Sequence, residues 1–311
     1  MEPIRIGIVG LGKIARDAHI PSIRGNPAFA LAATASPGAG TLSVAHFSAI
    51  EEMLEQVPEI TAVAICTPPQ ARYRAACLAL VRGKHVLLEK PPCASLLELQ
   101  HLAEVAKAGR KTLYQTWHSR HAPAVELAAG QLSRRTLRRV RITWKEDVME
   151  WHPGQQWLWE PGGFGVFDPG INALSIVTRL VSEPLFAQSA QLYVPSNCAT
   201  PIAADLALET AGGVSIRATL DFRHRGTPVW ELDFETDEGS VKLTDGGSCL
   251  QIDEQPALRA EASLVGEYAA IYQHFAEVIS RGESEVDARP LACVADLFRV
   301  AKHCTVEPFS G

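Results

Sequence analysis

The chain has 311 residues, 47% of them hydrophobic and 21% charged, which is enough apolar material for two cores, because single cores stop growing near ~250–300 residues. Its formal net charge of −6, with Lys and Arg dispersed along the sequence, leaves no basic stripe to neutralise a nucleic-acid backbone, and nucleic acid is excluded as an expected partner. No signal-peptide pattern opens the sequence and no apolar run reaches the ~18 residues of a membrane span, so a cytoplasmic protein without a membrane partner is expected.

From residue 4 to about residue 116, short β-branched runs alternate with longer helical patterns, as in a parallel sheet with crossover helices. Strands are predicted at Ile4–Val9, Leu31–Ala35, Ala62–Cys66, His85–Leu88 and Thr112–Gln115. Ser48 with Glu51 and Ser95 with Glu98 fit capping boxes, while Gly83 and Gly109 fall where helix C-terminal caps belong. Beyond residue 137 the texture changes to alternating strands such as Val140–Trp144, with hairpins turned at 211–213, 237–239 and 245–247. Helices are predicted from near Asp168, at 267–281 and at 290–303. The expected architecture is an α/β Rossmann domain with a doubly wound parallel sheet over residues 1–120. An α+β domain with an open, mainly antiparallel sheet for substrate binding and oligomerisation follows at 121–311. So few helices would leave a sheet face bare and apolar, and a homodimer through that face is expected. The seven cysteines are scattered without a CxxC pair, which predicts reduced thiols and no metal site.

After the first strand comes Gly10-Leu11-Gly12-Lys13-Ile14-Ala15, a GxGxxA fingerprint opening a helix. Gly10 permits the tight turn, Gly12 lets a pyrophosphate approach the backbone, and Ala15 lets helix and strand pack closely. The phosphates would then sit on the helix N-terminus. The second strand ends Thr34-Ala35-Ser36-Pro37-Gly38, without the Asp or Glu that grips the ribose hydroxyls of NAD. Ser36 can donate to a hydroxyl or a phosphate, and Lys13 and Arg16 are the nearest cations, so the expected cofactor is NADP or NAD, with dual use open. Cys66-Thr67-Pro68-Pro69 and Glu89-Lys90-Pro91-Pro92 lie at strand carboxyl ends, where ligands bind in open α/β sheets. Cys66, Thr67, Pro68, Glu89 and Lys90 therefore join Gly10, Gly12, Lys13, Ile14 and Ser36 as candidate cofactor contacts. Two adjacent prolines at a strand end predict a cis bond before Pro91. Five tryptophans, Trp117, Trp144, Trp151, Trp157 and Trp159, fall close together in sequence. Pyranose C–H faces stack on indole, although Trp144, Trp157 and Trp159 read better as core or interface.

Fingerprint, TPP run, Glu-Lys-Pro and a later Asp-x-Gly together resemble the glucose-fructose oxidoreductase, inositol dehydrogenase and rhizopine catabolism (Gfo/Idh/MocA) family over nearly the whole chain. Within it, the runs GKIARDAHIP, CTPPQARY, EKPP, TWHSR, WKED, WHPGQQW and EPGGFGVFDPGINALS are similar to the bacterial L-arabinose and D-galactose 1-dehydrogenases. The resemblance implies oxidation of the anomeric C1 hydroxyl of L-arabinose, D-galactose or D-fucose to the aldonolactone. It places Lys90 at the active centre, a helix starting at Asp168 opposite it, and His118, Glu146, Trp151, His152, Asn172 and Trp230 in the sugar pocket. The family usually carries a histidine four residues after the aspartate, where this chain has Asn172, and Asn cannot take a proton. Asp168 and Lys90 remain as candidate bases; the preferred assignment makes Asp168 the base and Lys90 the group holding the C1 oxygen, with the reverse open. An inositol or polyol dehydrogenase and a non-catalytic NAD(P)-binding sugar sensor are the rival readings.

Overall fold

The computed structural model describes residues 2–38, 40 and 42–310. In chain order it runs β1 (Ile4–Val9), α1 (Ile20–Gly25), β2 (Phe29–Ala35), β3 (Ala45–Phe47), α2 (Ile50–Gln56), β4 (Ala62–Ile65), α3 (Pro69–Val81), β5 (His85–Leu88), α4 (Leu96–Ala108) and β6 (Leu113–Gln115). It continues through α5 (Val125–Leu132), β7 (Leu137–Lys145), α6 (Val148–Trp151), α7 (Phe167–Leu180), β8 (Leu185–Pro195), β9 (Ala203–Thr210), β10 (Ser215–Asp221) and β11 (Val229–Thr236). The last elements are β12 (Gly239–Thr244), β13 (Cys249–Ile252), β14 (Gln255–Arg259), α8 (Leu264–Arg281), α9 (Arg289–Val300) and β15 (Ala301–Val306). These form two units, one of Met1–His118 with Ser263–Ala288 and one of Ser119–Ala262 with Arg289–Gly311. Among the described residues, no helix is long and apolar enough to cross a membrane.

The first unit is a parallel sheet in the order β3-β2-β1-β4-β5-β6. Strand order reverses between β1 and β4, the switch point at which a dinucleotide-binding sheet opens a crevice. The short edge strand β3 was not expected, because three residues carry no periodicity. The capping box at Ser95 and Glu98 forms. The one expected at Ser48 does not: Ala49 caps α2, and Ser48, one residue too early to reach the helix amides, donates to the Glu52 carboxylate at 3.0 Å. Gly83 takes the left-handed conformation after α3 (φ 72°), but Gly109 does not, because the left-handed position after α4 falls one residue later, on Arg110 (φ 51°).

The sequence boundary at residue 120 assigned 263–288 to the second domain, whereas this segment belongs with the first unit. The reason is the apolar stripe of α8: Tyr268, Ile271, Tyr272, Phe275 and Val278 recur at helical spacing and are buried with Ile6, Ile8, Ala15, Ile23 and Phe29 in one core. Each such side chain contributes on the order of 1.5–3 kcal/mol by leaving water. The chain after α8 then extends the sheet beyond β6, with the Gln115 amide donating to Glu285 O and the Glu285 amide to Leu113 O, each at 3.0 Å.

The second unit holds a nine-stranded sheet, β14-β13-β12-β11-β7-β10-β9-β8-β15. It is antiparallel except where β7 meets β10 and β8 meets β15. One face buries Val140, Ile142, Trp144, Leu206, Leu208, Leu232 and Phe234. The expectation that the other face is apolar is overturned. It carries cross-strand ion pairs, Arg139 with Glu235 at 3.0 Å, Arg141 with Asp233 at 3.3 Å and Lys242 with Glu231 at 2.8 Å, because antiparallel strands alternate core-facing and solvent-facing residues. The helix expected over 290–303 ends at Val300, and Ala301–Val306 instead pairs with the otherwise open edge of β8, as suits the β-favouring run Cys304-Thr305-Val306.

Candidate active site

The phosphate-binding turn is built by steric necessity at the switch point. Gly10 closes β1 at φ +92°, and a Cβ there would lie 2.8 Å from the Thr67 amide nitrogen, so only glycine lets the two strand ends meet. A Cβ on Gly12 would meet nothing within 4 Å, which leaves open space directly over the helix start. The Thr67 hydroxyl is buried and has no hydrogen-bond partner in the structure, a donor still to be satisfied. An open cradle at Gly12 with an unsatisfied hydroxyl at the neighbouring strand end fits a dinucleotide. The helix passes through a π-helical turn, Ala15–His19, before α1. Arg16 Nε braces the loop by donating to Leu11 O at 3.0 Å, and Lys13 pairs with Asp17 one turn along its own helix. Ile14 is half-buried and Pro68 exposed at the head of α3. Ser36 is half-buried, its amide held by Phe47 O at 3.0 Å, and His46 spans the loop from Thr34 Oγ1 to Gly38 O, 2.9 Å from each.

Glu89 differs from its expected role. Its side chain is 2% exposed and its oxygens are consumed inside the unit. Oε1 faces His19 Nε2 at 3.0 Å and accepts from Thr116 Oγ1 at 3.2 Å and from the Tyr268 hydroxyl, while Oε2 accepts the Lys90 amide at 2.8 Å. The buried carboxylate therefore anchors the backbone of Lys90 instead of reaching a cofactor. Cys66, 7% exposed, also lies within the core. His19 completes the network through Nδ1, 2.7 Å from the Tyr272 hydroxyl. Burial opposes charge on His19, but the Cys66 sulfur and the Glu89 carboxylate outweigh it and push the imidazolium up from 6.5 to about 10. Burial likewise works to raise the Glu89 carboxyl, yet the His19 hydrogen bond and charge, followed by Arg72 and Tyr268, hold it well below the ordinary carboxylate range. Arg72 Nη1 donates to Glu89 O at 2.8 Å and also to Pro91 O across the cis Lys90–Pro91 bond, the isomer expected. His19, Tyr268 and Tyr272 escaped sequence reasoning, since a histidine on an otherwise apolar helix face and two tyrosines in an apolar stripe announce no partner.

His118 also sits in the first unit, its Nδ1 2.6 Å from Glu267 Oε2 and its ring stacked at 5.7 Å on Tyr268. Its partner Glu267, in the first turn of α8, was not foreseen.

In the second unit the remaining candidates converge. Pairing of 146–148 with 221–222 carries the extended chain past β7, since the Glu146 amide donates to Asp221 O at 3.0 Å and the Val148 amide to Phe222 O at 3.1 Å. Asp147 then caps the single-turn helix α6, accepting from the Met149 amide at 2.9 Å, and the turn folds His152 back onto Glu146. His152 Nε2 lies 3.0 Å from Glu146 Oε1, and Trp230 Nε1 donates to Glu146 Oε2 at 2.7 Å. Trp230 is ringed by Trp151 at 4.9 Å, edge to face, and by Trp144 at 6.0 Å, stacked. Trp144 is 4% exposed, and Trp159 packs on Phe222 and Phe309, both structural placements. Asp168, 3% exposed, enters from the first turn of α7, where its Oδ2 is 3.7 Å from His152 Nδ1. Its placement depends on Gly165, at φ +51°, where a Cβ would stand 2.3 Å from Pro201 O. Asn172 follows one helical turn beyond Asp168 and is half-buried. Glu146, Trp151, His152, Asp168 and Trp230 are thus brought together in one unit, while Lys90 and His118 belong to the other.

The family model described as "Oxidoreductase family, NAD-binding Rossmann fold" (GFO_IDH_MocA) matches residues 4–116. Galactose 1-dehydrogenase of Pseudomonas fluorescens is 47% identical over 311 residues, covering 99% of both chains. The crystal structure of D-galactose-1-dehydrogenase from Rhizobium etli, also 47% identical, superposes with a TM-score of 0.93 over 100% of this chain and 99% of its own. The 3-ketoreductase KijD10 of Actinomadura kijaniata, solved with NADP, is 18% identical with a TM-score of 0.85 over 98% of this chain and 99% of its own, a likeness of fold alone. The chain belongs to the Gfo/Idh/MocA oxidoreductase family.

Proposed function

We propose that this member of the family is an aldose 1-dehydrogenase that uses NADP or NAD to oxidise the anomeric hydroxyl of D-galactose, and with it L-arabinose and D-fucose, to the aldonolactone. The observation that carries the reading is Glu146, a buried carboxylate with one oxygen taking the Trp230 N–H, the other 3.0 Å from His152 Nε2, and lone pairs to spare for sugar hydroxyls. Beside it Trp151 is 37% exposed, an indole face suited to the apolar side of a pyranose. Similarity to two galactose dehydrogenases supports the same substrate class.

A hydride leaves C1 only as its hydroxyl loses a proton, so the reaction needs one positioned base. A bound nicotinamide supplies the hydride acceptor. Asp168 is assigned as the base and Lys90 as the donor that steadies negative charge on the C1 oxygen. The absence of a carboxylate after β2 removes the usual barrier to a 2′-phosphate, which favours use of both cofactors. The three sugars share their configuration from C1 to C4 and differ in the substituent at C5, so space at C5 ranks them. Initial rates at 340 nm for the three sugars with each cofactor test the assignment, and no reduced cofactor from any pair would refute it.

Assembly as a cytoplasmic homodimer through the sheet of the second unit is part of the same proposal. A sedimentation coefficient of a monomer at micromolar concentration in low salt would rule the dimer out.

A further inference from the structure

We infer that His152 is the proton acceptor behind Asp168, a positioning and relay residue that empties the base during turnover. The inference rests on the reading of Asp168 as the base.

The geometry favours one tautomer of the neutral imidazole. Trp230 Nε1 can only donate, so it occupies Glu146 Oε2 at 2.7 Å. His152 Nε2 lies 3.0 Å from the other oxygen, and that contact is a hydrogen bond when Nε2 carries the proton. The lone pair of the neutral ring is then on Nδ1. This atom is buried, has no hydrogen-bond partner in the structure, and faces Asp168 Oδ2 at 3.7 Å. Two acceptors face each other there, a contact that one proton turns from repulsive to binding. Side-chain exposures of 15% for His152, 4% for Glu146 and 5% for Asp168 leave little water to supply that proton, but the reaction does.

As C1 is oxidised, the C1 hydroxyl proton goes to Asp168. Its Oδ2–H then donates to Nδ1 and, on transfer, leaves Asp168 ionised and an imidazolium between it and Glu146. The proton departs to solvent with the lactone. Among the described residues, the charged groups facing His152 are Glu146 from the end of β7 and Asp168 from α7; Phe222, after β10, adds a ring at 5.3 Å. A relay of this kind gives the site a titratable imidazole although Asn172 stands where the family's histidine usually falls.

The test uses His152→Gln, which can still donate and accept but cannot hold a proton. Its kcat should fall about tenfold or more, with the sugar KM changed less than about threefold, and imidazole buffer should restore rate in proportion to its free base. Nitrogen-15 NMR of the unliganded wild-type protein should show the neutral Nε2–H tautomer, an outcome independent of whether the variant folds. Normal kcat in His152→Gln, a loss confined to KM, a loss that imidazole does not rescue, or an Nδ1–H tautomer would each overturn the relay. Asp168→Asn separates the two ideas. If it is inactive while His152→Gln is normal, only the relay fails; if it turns over normally, the assignment of the base fails first.

Discussion

Replacing Glu89 by Gln preserves the shape of a side chain whose carboxylate meets His19, Thr116, Tyr268 and the Lys90 amide, but removes its charge. The His19 imidazolium, fully buried and raised from 6.5 to about 10, then loses the carboxylate at 3.0 Å that offsets its desolvation. A rise of that size corresponds to about 5 kcal/mol of linkage between protonation and folding, and breaking a buried pair by removing one partner costs about 3–5 kcal/mol. Two consequences should be measurable by calorimetry. At neutral pH the melting temperature of Glu89→Gln should fall by on the order of 10 °C. A raised imidazolium stabilises the fold fully below pH 6.5 and loses that contribution as pH climbs through about 10, so wild-type stability should decline over this window. The depressed Glu89 carboxyl acts oppositely, its contribution present above 4.5 and lost on acidification. In Glu89→Gln the alkaline decline should weaken, because the Cys66 sulfur is then left without the Glu89 carboxylate in holding the proton on His19. A shift under about 3 °C with an unchanged pH dependence would mean that the pair only balances its own desolvation, and the reasoning would fail.

Asp168→Asn should lower kcat by about 10²–10⁴ with cofactor binding intact by fluorescence titration. Trp230→Phe keeps an aromatic ring, though a smaller one, but removes the donor that reaches Glu146 Oε2 at 2.7 Å; the loss of about 1–3 kcal/mol should appear as a ten- to hundredfold rise in sugar KM, roughly. Gly165→Ala forces a Cβ to 2.3 Å from Pro201 O at φ +51°, so the urea midpoint should drop by the equivalent of at least about 2 kcal/mol. Ser95→Ala deletes the cap that accepts the Glu98 amide at 3.3 Å and should cost about 1 kcal/mol, with activity unchanged.

Sequence alone determined what depends on neighbours along the chain. The strands of the nucleotide unit other than β3, the glycine turn after β1, the box at Ser95, the bend at Lys90–Pro91 and the hairpins of the second sheet are set by steric or hydrogen-bonding demands within a few residues, and those demands leave a readable pattern. Resemblance supplied the candidate pocket residues, of which His152 and Trp230 meet Glu146 and Trp151 packs on Trp230. What joins residues far apart was invisible: Glu89 meets His19 and Tyr268 across separations of 70 and 179 residues, and His118 meets Glu267 across 149. The return of α8 to the first unit, the charged outer face of the second sheet and the unfilled nitrogen of His152 have the same origin. A buried charge takes whichever partner the folded chain brings within reach, and no periodicity in the sequence encodes that choice, whereas a turn or a cap carries its partner with it.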